Sequence, residues 1–119
     1  MYFISKQYFF SASHQQHQLP ESYPCSRLHG HNYVAEIIMK AETLDEKGFA
    51  FDLADLKPFE QLIIDKLDHR HLNDVLPGFT SSESLAKWLY DQAKQWWPQT
   101  VYSVRVQETP KIWAEYRES

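Results

Sequence analysis

The sequence predicts an α+β fold in which a four-stranded antiparallel sheet carries two helices on one face, in the order ββααββ. Apolar and polar residues alternate in two N-terminal and two C-terminal stretches, a pattern typical of strands with one buried face. Between them, apolar residues recur at helical spacing in two segments. Gly and Pro, 3 and 6 in number, are too scattered to form a linker, so residues 1–119 are expected to form a single domain.

The first two strands are predicted at residues 2–14 and 29–39. In the first, the even positions are mostly apolar and end at His14; in the second, the odd positions form the apolar face and begin with His29 and His31. A loop with several turn-forming residues separates them. We therefore expect these histidines at the ends of the two apolar faces.

Two helices are predicted in the middle of the chain. The first carries apolar residues at helical spacing from Leu56 to Leu67, and Asp55 is its expected N-cap. The second is expected to begin near "TSSE", residues 80–83, where Thr80 and Glu83 have capping-box spacing. Its buried face is predicted to carry five residues: Leu85, Ala86, Leu89, Ala93 and Trp96.

The last two strands are predicted on either side of a turn at residues 109–111. Apolar residues alternate with polar ones from Tyr102 to Val106 and again over residues 112–116. Glu108 shares the parity of the apolar positions, so its carboxylate would lie at the end of a buried face, where a lone charge is costly. We expect a salt bridge, a turn amide or two N–H donors of a ligand to satisfy it.

Composition excludes several classes of protein. The net charge of −4 is unfavourable for binding nucleic acid or an acidic membrane surface. No apolar run approaches the roughly 18 residues of a membrane span, and no signal-peptide pattern begins the chain. A single cysteine, Cys25, excludes an internal disulfide and fits a reducing compartment. A cytoplasmic location is therefore expected.

Three histidines are predicted to converge. Alternate residues of a strand share one face about 7 Å apart, so His29 and His31 can point at one object, and Gly30 between them allows close backbone approach on the other face. If the first two strands pair antiparallel, His14 meets them at the same end of the sheet. Three imidazoles with no fourth protein ligand are typical of catalytic Zn²⁺, which keeps an open position for water or substrate.

Two residues of the predicted loop, Cys25 and His17, are further candidate metal ligands. Cys25 could be a fourth ligand that closes a structural zinc site, but beside a Lewis acid it is also well placed as a thiolate nucleophile or base. We favour the open site. His17 is a further candidate ligand, although its loop position indicates a solvent-exposed side chain.

A second cluster, "LDHRHLND", spans residues 67–74. The Asp68 carboxylate could orient the imidazole of His69 as a general acid or base, and His71 competes for the same role. An Asp-His dipeptide by itself is more often a capping or surface feature. Its interpretation depends on proximity to Cys25.

Six motifs in order resemble the 6-pyruvoyl-tetrahydropterin synthase / 6-carboxytetrahydropterin synthase family: "FSASH", "CSRLHGHNY", "FDLADLK", "LDHRHLND", "SSESLAKWLYD" and "VQET". They extend from Phe10 to Thr109. The short spacing between Cys25 and His29 resembles that of the bacterial 6-carboxytetrahydropterin synthases of queuosine biosynthesis. The animal 6-pyruvoyl enzymes typically have more residues between the matching cysteine and histidine.

The resemblance implies the tunnelling fold, or T-fold, in which the sheets of several subunits join into a barrel. It implies a homo-oligomer, a trimer or hexamer, with active sites between subunits. It also implies Zn²⁺ held by three matching histidines, which are His14, His29 and His31. The matching catalytic set is Cys25, Asp68 and His69.

The resemblance further implies substrate-binding residues. Glu108 matches the glutamate that anchors the pterin ring, while Ser81 and Ser82 match positions beside the pterin. Relatives often have Thr at the position of Ser81, and Pro110 is a second difference from the family pattern. Both differences concern the detailed geometry of the substrate pocket. Arg27 suits the anionic tail of the substrate, and a solvated surface role is equally consistent with its position.

The implied reaction converts 7,8-dihydroneopterin triphosphate to 6-carboxy-5,6,7,8-tetrahydropterin, acetaldehyde and triphosphate. The alternatives are triphosphate elimination to the 6-pyruvoyl product, a non-catalytic zinc- or pterin-binding paralogue, and a purely structural metal domain. The joint presence of Cys25, Asp68 and His69 favours an enzyme, because a binding protein would not need residues for proton transfer.

Overall fold

The computed structural model describes all residues from Met1 to Ser119. The strands and helices, in chain order, are β1 (Tyr2–His14), β2 (His29–Ala41), α1 (Lys57–Lys66), β3 (Arg70–His71), α2 (Ser82–Trp96), β4 (Val101–Thr109) and β5 (Ile112–Tyr116). Short 3-10 helices lie at Pro24–Ser26, Leu53–Leu56 and Leu72–Asp74. The α+β class and the two-helix arrangement are confirmed.

The sheet has five strands in the order β3-β1-β2-β4-β5, rather than the predicted four. The four long strands pair antiparallel with their neighbours, as predicted. The additional strand, β3, has two residues and runs parallel to β1. It forms because the chain leaving α1 turns back against β1, where the His69 amide donates to the Ser11 carbonyl at 2.7 Å.

The core lies between one face of the sheet and both helices. On this face β1 buries even-numbered and β2 odd-numbered side chains, as the alternation predicts. The buried helix residues that pack in this core include Phe59, Ile63, Leu85, Ala86, Leu89 and Ala93. Trp96, predicted to be buried, is 40% exposed, and Trp97 packs against Phe51 instead, with ring centroids 5.8 Å apart. Neither helix is long and apolar enough to cross a membrane.

The predicted helix caps are wrong in both helices. A 3-10 helix precedes α1, and the N-cap of this 3-10 helix is Asp52, whose carboxylate accepts from the Ala54 amide at 3.0 Å. Asp55 lies within the 3-10 helix and is not a cap. Helix α2 is capped by Ser81, whose hydroxyl accepts from the Ser84 amide at 3.3 Å. Thr80 is buried outside the helix and is free for another contact.

Strand register brings the metal-ligating residue types to one end of the sheet. His14 is directly opposite His29, and Ala12 is opposite His31. Between the two histidines of β2, a Cβ atom on Gly30 would lie 3.3 Å from the Ala12 carbonyl oxygen. This tight spacing agrees with the close backbone approach expected at Gly30.

Candidate metal centre and active site

Three imidazoles meet at the end of β1 and β2 on the core face of the sheet. The nearest ligand atoms of His14, His29 and His31 all lie within 4.8 Å of one another. His14 is completely buried, whereas the other two are half-buried. The antiparallel pairing predicted from the sequence accounts for this convergence, because positions at the end of one strand face positions at the start of the next.

Hydrogen bonds at Nδ1 determine the tautomer of two of these rings. His14 Nδ1 lies 2.9 Å from the carbonyl oxygen of Thr80 and 3.1 Å from its hydroxyl. His29 Nδ1 lies 2.7 Å from the carbonyl oxygen of Arg27. A carbonyl can only accept, so each Nδ1 carries the hydrogen and each neutral ring presents the lone pair of Nε2.

The Nε2 atoms of the three histidines are buried and have no hydrogen-bond partner. Burial lowers the pKa of His14 to about 4, with the neighbouring His29 as a further cause. The pKa of His31 is also lowered, chiefly by burial, although Glu108 opposes this shift. Neutral imidazoles with unpartnered lone pairs are the form that binds a metal ion. The donor set therefore fits Zn²⁺ held by three histidines with an open fourth position.

Glu108 lies at the edge of this cluster. Its Oε2 is 3.2 Å from His31 Nε2, which is an ion-pair distance, but the contact lacks hydrogen-bond geometry because Nε2 remains without a hydrogen-bond partner. The Glu108 side chain is 23% exposed, so a ligand can reach it. The buried Tyr33 has an unpartnered hydroxyl, and burial together with Glu108 raises its pKa. Tyr33 therefore stays neutral.

Thr80 is a site residue that the sequence interpretation misses. The sequence assigns it to the start of α2, but its hydroxyl and carbonyl both face His14, 66 residues away along the chain. Partners that orient ligand histidines through the second ring nitrogen are usual in zinc sites. No local pattern in the sequence indicates a contact over this separation.

The loop between β1 and β2 carries Cys25 and His17. Cys25 is exposed and unpaired, and its sulfur is not among the clustered ligand atoms. The carbonyl of Cys25 accepts from the Gln16 amide at 3.1 Å, which ties the two ends of the loop together. His17 is exposed and also lies outside the cluster. This geometry does not support a closed site with Cys25 as fourth ligand.

The Asp68-His69 pair lies beyond the edge of β1. The Asp68 side chain accepts from the Ser11 amide at 3.0 Å, and its other oxygen is 3.7 Å from His69 Nε2. His69 is 83% exposed and has a φ of 60°, a left-handed conformation that is uncommon and strained for a non-glycine residue. His71 is instead engaged, with Nδ1 2.9 Å from the Ser13 hydroxyl. Within one chain, His69 is therefore more available than His71 to contact a ligand.

An open polar groove of about 650 Å³ connects these regions. Nine residues line it: Ser11, Ala12, Ser13, Gly30, His31, Asn32, His69, Arg70 and His71. It thus joins residues of the Asp68-His69 segment to one of the clustered histidines. None of its lining residues is acidic, although the chain as a whole has a net charge of −4.

The three remaining candidate residues have different surroundings. Arg27 is exposed and forms no salt bridge, while its carbonyl orients His29. Ser81 is occupied as the N-cap of α2. Ser82, the first residue of that helix, is 6% exposed and its hydroxyl has no hydrogen-bond partner. Of these two candidate serines, Ser82 is thus the one whose side chain lacks a hydrogen-bond partner.

Comparison with known proteins gives a consistent result. Residues 3–119 match the family model described as 6-pyruvoyl tetrahydropterin synthase. The 6-carboxy-5,6,7,8-tetrahydropterin synthase of Synechocystis is 34% identical over 124 residues, covering 98% of this chain and 93% of that protein. A putative 6-pyruvoyl tetrahydrobiopterin synthase of Caenorhabditis elegans is 35% identical over 89 residues, and the match spans 64% of that relative's length.

Solved structures show the same fold. The 6-pyruvoyl tetrahydropterin synthase of Caenorhabditis elegans superimposes with a TM-score of 0.87 and 29% identity, covering 99% of this chain and 96% of the other. The Plasmodium falciparum 6-pyruvoyl tetrahydropterin synthase superimposes with a TM-score of 0.74 at 17% identity. The T-fold expected from the sequence motifs is therefore confirmed.

Proposed function

The chain belongs to the 6-pyruvoyl tetrahydropterin synthase family, and from that membership we propose that it is a zinc-dependent lyase acting on 7,8-dihydroneopterin triphosphate. The proposed products are 6-carboxy-5,6,7,8-tetrahydropterin, acetaldehyde and triphosphate, with one water consumed. The side chain is oxidised to a carboxylate while the pterin ring is reduced, so the reaction needs no external oxidant. This product would feed queuosine biosynthesis.

The single observation that carries the proposal is the convergence of three unpartnered Nε2 atoms next to Glu108. We propose that His14, His29 and His31 hold Zn²⁺. When bound there, the metal would act as a Lewis acid, which would lower the pKa of substrate hydroxyls and stabilise developing negative charge. A structural zinc would instead be expected to have four protein ligands.

Glu108 is proposed to bind the pterin ring. An ionised carboxylate offers two oxygens and can accept from two parallel N–H donors, the pattern that a 2-amino-pyrimidinone edge presents. Its position beside the histidine cluster would keep the bound ring close to the metal. Ser82 is a further proposed contact of the substrate, because its hydroxyl has no hydrogen-bond partner within the chain, whereas Ser81 would act by holding the helix start.

Cys25, Asp68 and His69 are proposed to move protons. Cys25 would take or return a proton on the substrate side chain, and the Asp68 carboxylate would orient His69 as the partner acid or base. Both Cys25 and His69 are exposed in the single chain. We therefore propose a homo-oligomeric enzyme, a trimer or hexamer, in which His69 of one subunit completes the site of another. Arg27 remains a proposed contact for the triphosphate.

The choice of the carboxy product has two supports. Only three residues separate Cys25 from His29. The match to the Synechocystis 6-carboxy enzyme extends over 93% of that protein, and the matches to named 6-pyruvoyl relatives extend over 64% to 89% of theirs. Formation of the 6-pyruvoyl product by triphosphate elimination is the second candidate, because most of the named relatives carry that name.

The test is incubation of the zinc-loaded, assembled protein with 7,8-dihydroneopterin triphosphate, followed by mass spectrometry of the products. The expected masses are those of 6-carboxytetrahydropterin and acetaldehyde. A pyruvoyl product would replace the first proposal with the second. Substrate binding without turnover would identify a non-catalytic paralogue.

A further inference from the structure

The segment that follows α1 runs alongside the metal-bearing end of β1. The Asp68 carboxylate and the His69 amide both bond to the backbone of Ser11. Two further pairs follow in parallel register, which are Ala12 with Arg70 and Ser13 with His71. The contacts advance one strand residue at a time toward His14, so this segment follows β1 to the point where it ends.

Asn73 makes the last of these contacts. Its Oδ1 accepts from the backbone amide of Gln15 at 2.9 Å, and its Nδ2 donates to the carbonyl of the same residue at 2.8 Å. Gln15 is the first residue after β1, where the antiparallel ladder with β2 ends. A partly buried backbone amide and carbonyl at such a position need partners from elsewhere. One side chain supplies both.

The next hydrogen bond lies within the loop between β1 and β2. Gln16, directly after the residue held by Asn73, donates its amide to the carbonyl of Cys25 at 3.1 Å. The backbone held by Asn73 therefore lies between His14 on one side and the start of the Cys25 loop on the other.

We propose that Asn73 is a positioning residue for the metal centre, acting through the backbone of Gln15 on His14. The proposal rests on the proposed zinc site. Asn73 touches none of the clustered imidazoles; it holds the backbone beside one of them, so its loss would let the end of β1 move and would misplace His14 Nε2. The expected consequence is weaker metal binding by an otherwise folded protein.

Asparagine is the side chain that suits this role. Aspartate keeps an acceptor for the Gln15 amide but replaces the donor with a second acceptor facing the Gln15 carbonyl. Alanine removes both hydrogen bonds. The two variants therefore disrupt the contact in different ways, and neither changes a proposed metal ligand or catalytic residue.

The experiment measures the zinc dissociation constant of the full chain by competition with a chromophoric chelator. We expect Asn73→Ala and Asn73→Asp each to raise it about tenfold, since mutation of outer-shell partners in metal sites typically costs 10- to 100-fold in affinity. The unfolding free energy of each metal-free variant is measured in urea alongside.

Two control variants separate positioning from general stability. Val75→Ala trims a half-buried side chain packed against the core close by in the chain, and should lower the unfolding free energy without changing the zinc dissociation constant. Gln18→Ala removes an exposed hydrogen bond to Gln16 within the same loop and should change neither.

An unchanged zinc dissociation constant in folded Asn73→Ala would overturn the inference while leaving the proposed zinc site intact. An equal loss of affinity in Val75→Ala would also overturn it. If the alanine variant does not fold, the aspartate variant decides in the same way. A wild-type chain that binds no zinc would overturn both proposals.

Discussion

The buried imidazole of His14 is held by Thr80, whose carbonyl oxygen and hydroxyl lie 2.9 and 3.1 Å from Nδ1. This contact joins the end of β1 to the residue just before Ser81, the N-cap of α2. It fixes the ring rotation of His14 and leaves Nε2 directed into the histidine cluster. The start of a helix thus contributes to a site otherwise built from two strands.

Thr80→Val should weaken zinc binding by several-fold, up to about tenfold. Valine has nearly the same shape but lacks the hydroxyl, so one of the two acceptors for the His14 Nδ1 hydrogen is lost while the carbonyl remains. Thr80→Ser should restore binding. Chelator competition measures the effect, and identical dissociation constants for wild type and the valine variant would contradict it.

Cys25→Ala should keep one zinc per chain while reducing turnover by about 100-fold or more. The reason is that the exposed thiol lies outside the histidine cluster and is proposed to move protons rather than to bind metal. Metal content by mass spectrometry and product formation are measured on the same sample. Loss of stoichiometric zinc would instead favour Cys25 as a fourth ligand.

Glu108→Gln should reduce kcat/KM by about 10- to 100-fold, the range expected when a hydrogen bond to a charged group is lost. The amide of glutamine replaces one acceptor with a donor, so it cannot accept from two pterin N–H groups. Zinc content should be retained. Glu46→Gln, in an exposed turn, is the charge-matched control; a similar loss there would contradict a specific role for Glu108.

Tyr8→Phe should change how stability depends on alkaline pH. Tyr8 is 8% exposed, its hydroxyl has no partner, and burial, with a smaller contribution from Glu60, raises its pKa from 10.0 to about 12. Between these values the unfolded chain loses the proton and the folded chain keeps it, so wild-type stability falls as pH rises.

The expected difference from Tyr8→Phe is about 2 kcal/mol accumulated from pH 10 to 12, since a tenfold change in a proton-binding constant corresponds to about 1.4 kcal/mol. Urea unfolding at several pH values measures it. At neutral pH the phenylalanine variant should be as stable as wild type or more stable, because the hydroxyl is unpartnered. The exposed Tyr23→Phe is the control, and parallel stability curves for wild type and Tyr8→Phe would refute the expectation.

Much of the site follows from strand periodicity. The alternation places His14 at the end of one apolar face and His29 and His31 at the start of the next, and antiparallel pairing of neighbouring strands is enough to bring them together. The roles of Cys25, Asp68, His69 and Glu108 rest on motif resemblance. They stay predictions until variants are measured.

The missed features depend on contacts that local patterns do not encode. Asp52 and Asp55 are both plausible caps before a helix, and the short 3-10 helix that begins after Asp52 and buries Leu56 is not visible as a local pattern. Strand β3 has only two residues, too few for any period to be visible. Thr80 and Asn73 form hydrogen bonds with His14 and Gln15, at the end of β1, from more than 50 residues away along the chain.

Strand β3 covers β1 only at Ala12 and Ser13, so the outer backbone edge of residues 2–10 has no strand partner within the chain. Phe3 and Phe9 are exposed along this stretch. Long, apolar, unpaired edges are templates for another β-strand, whether in an ordered assembly or an aggregate. Where this edge pairs with a second chain, unfolding is no longer a unimolecular equilibrium, and the measured stability then depends on protein concentration.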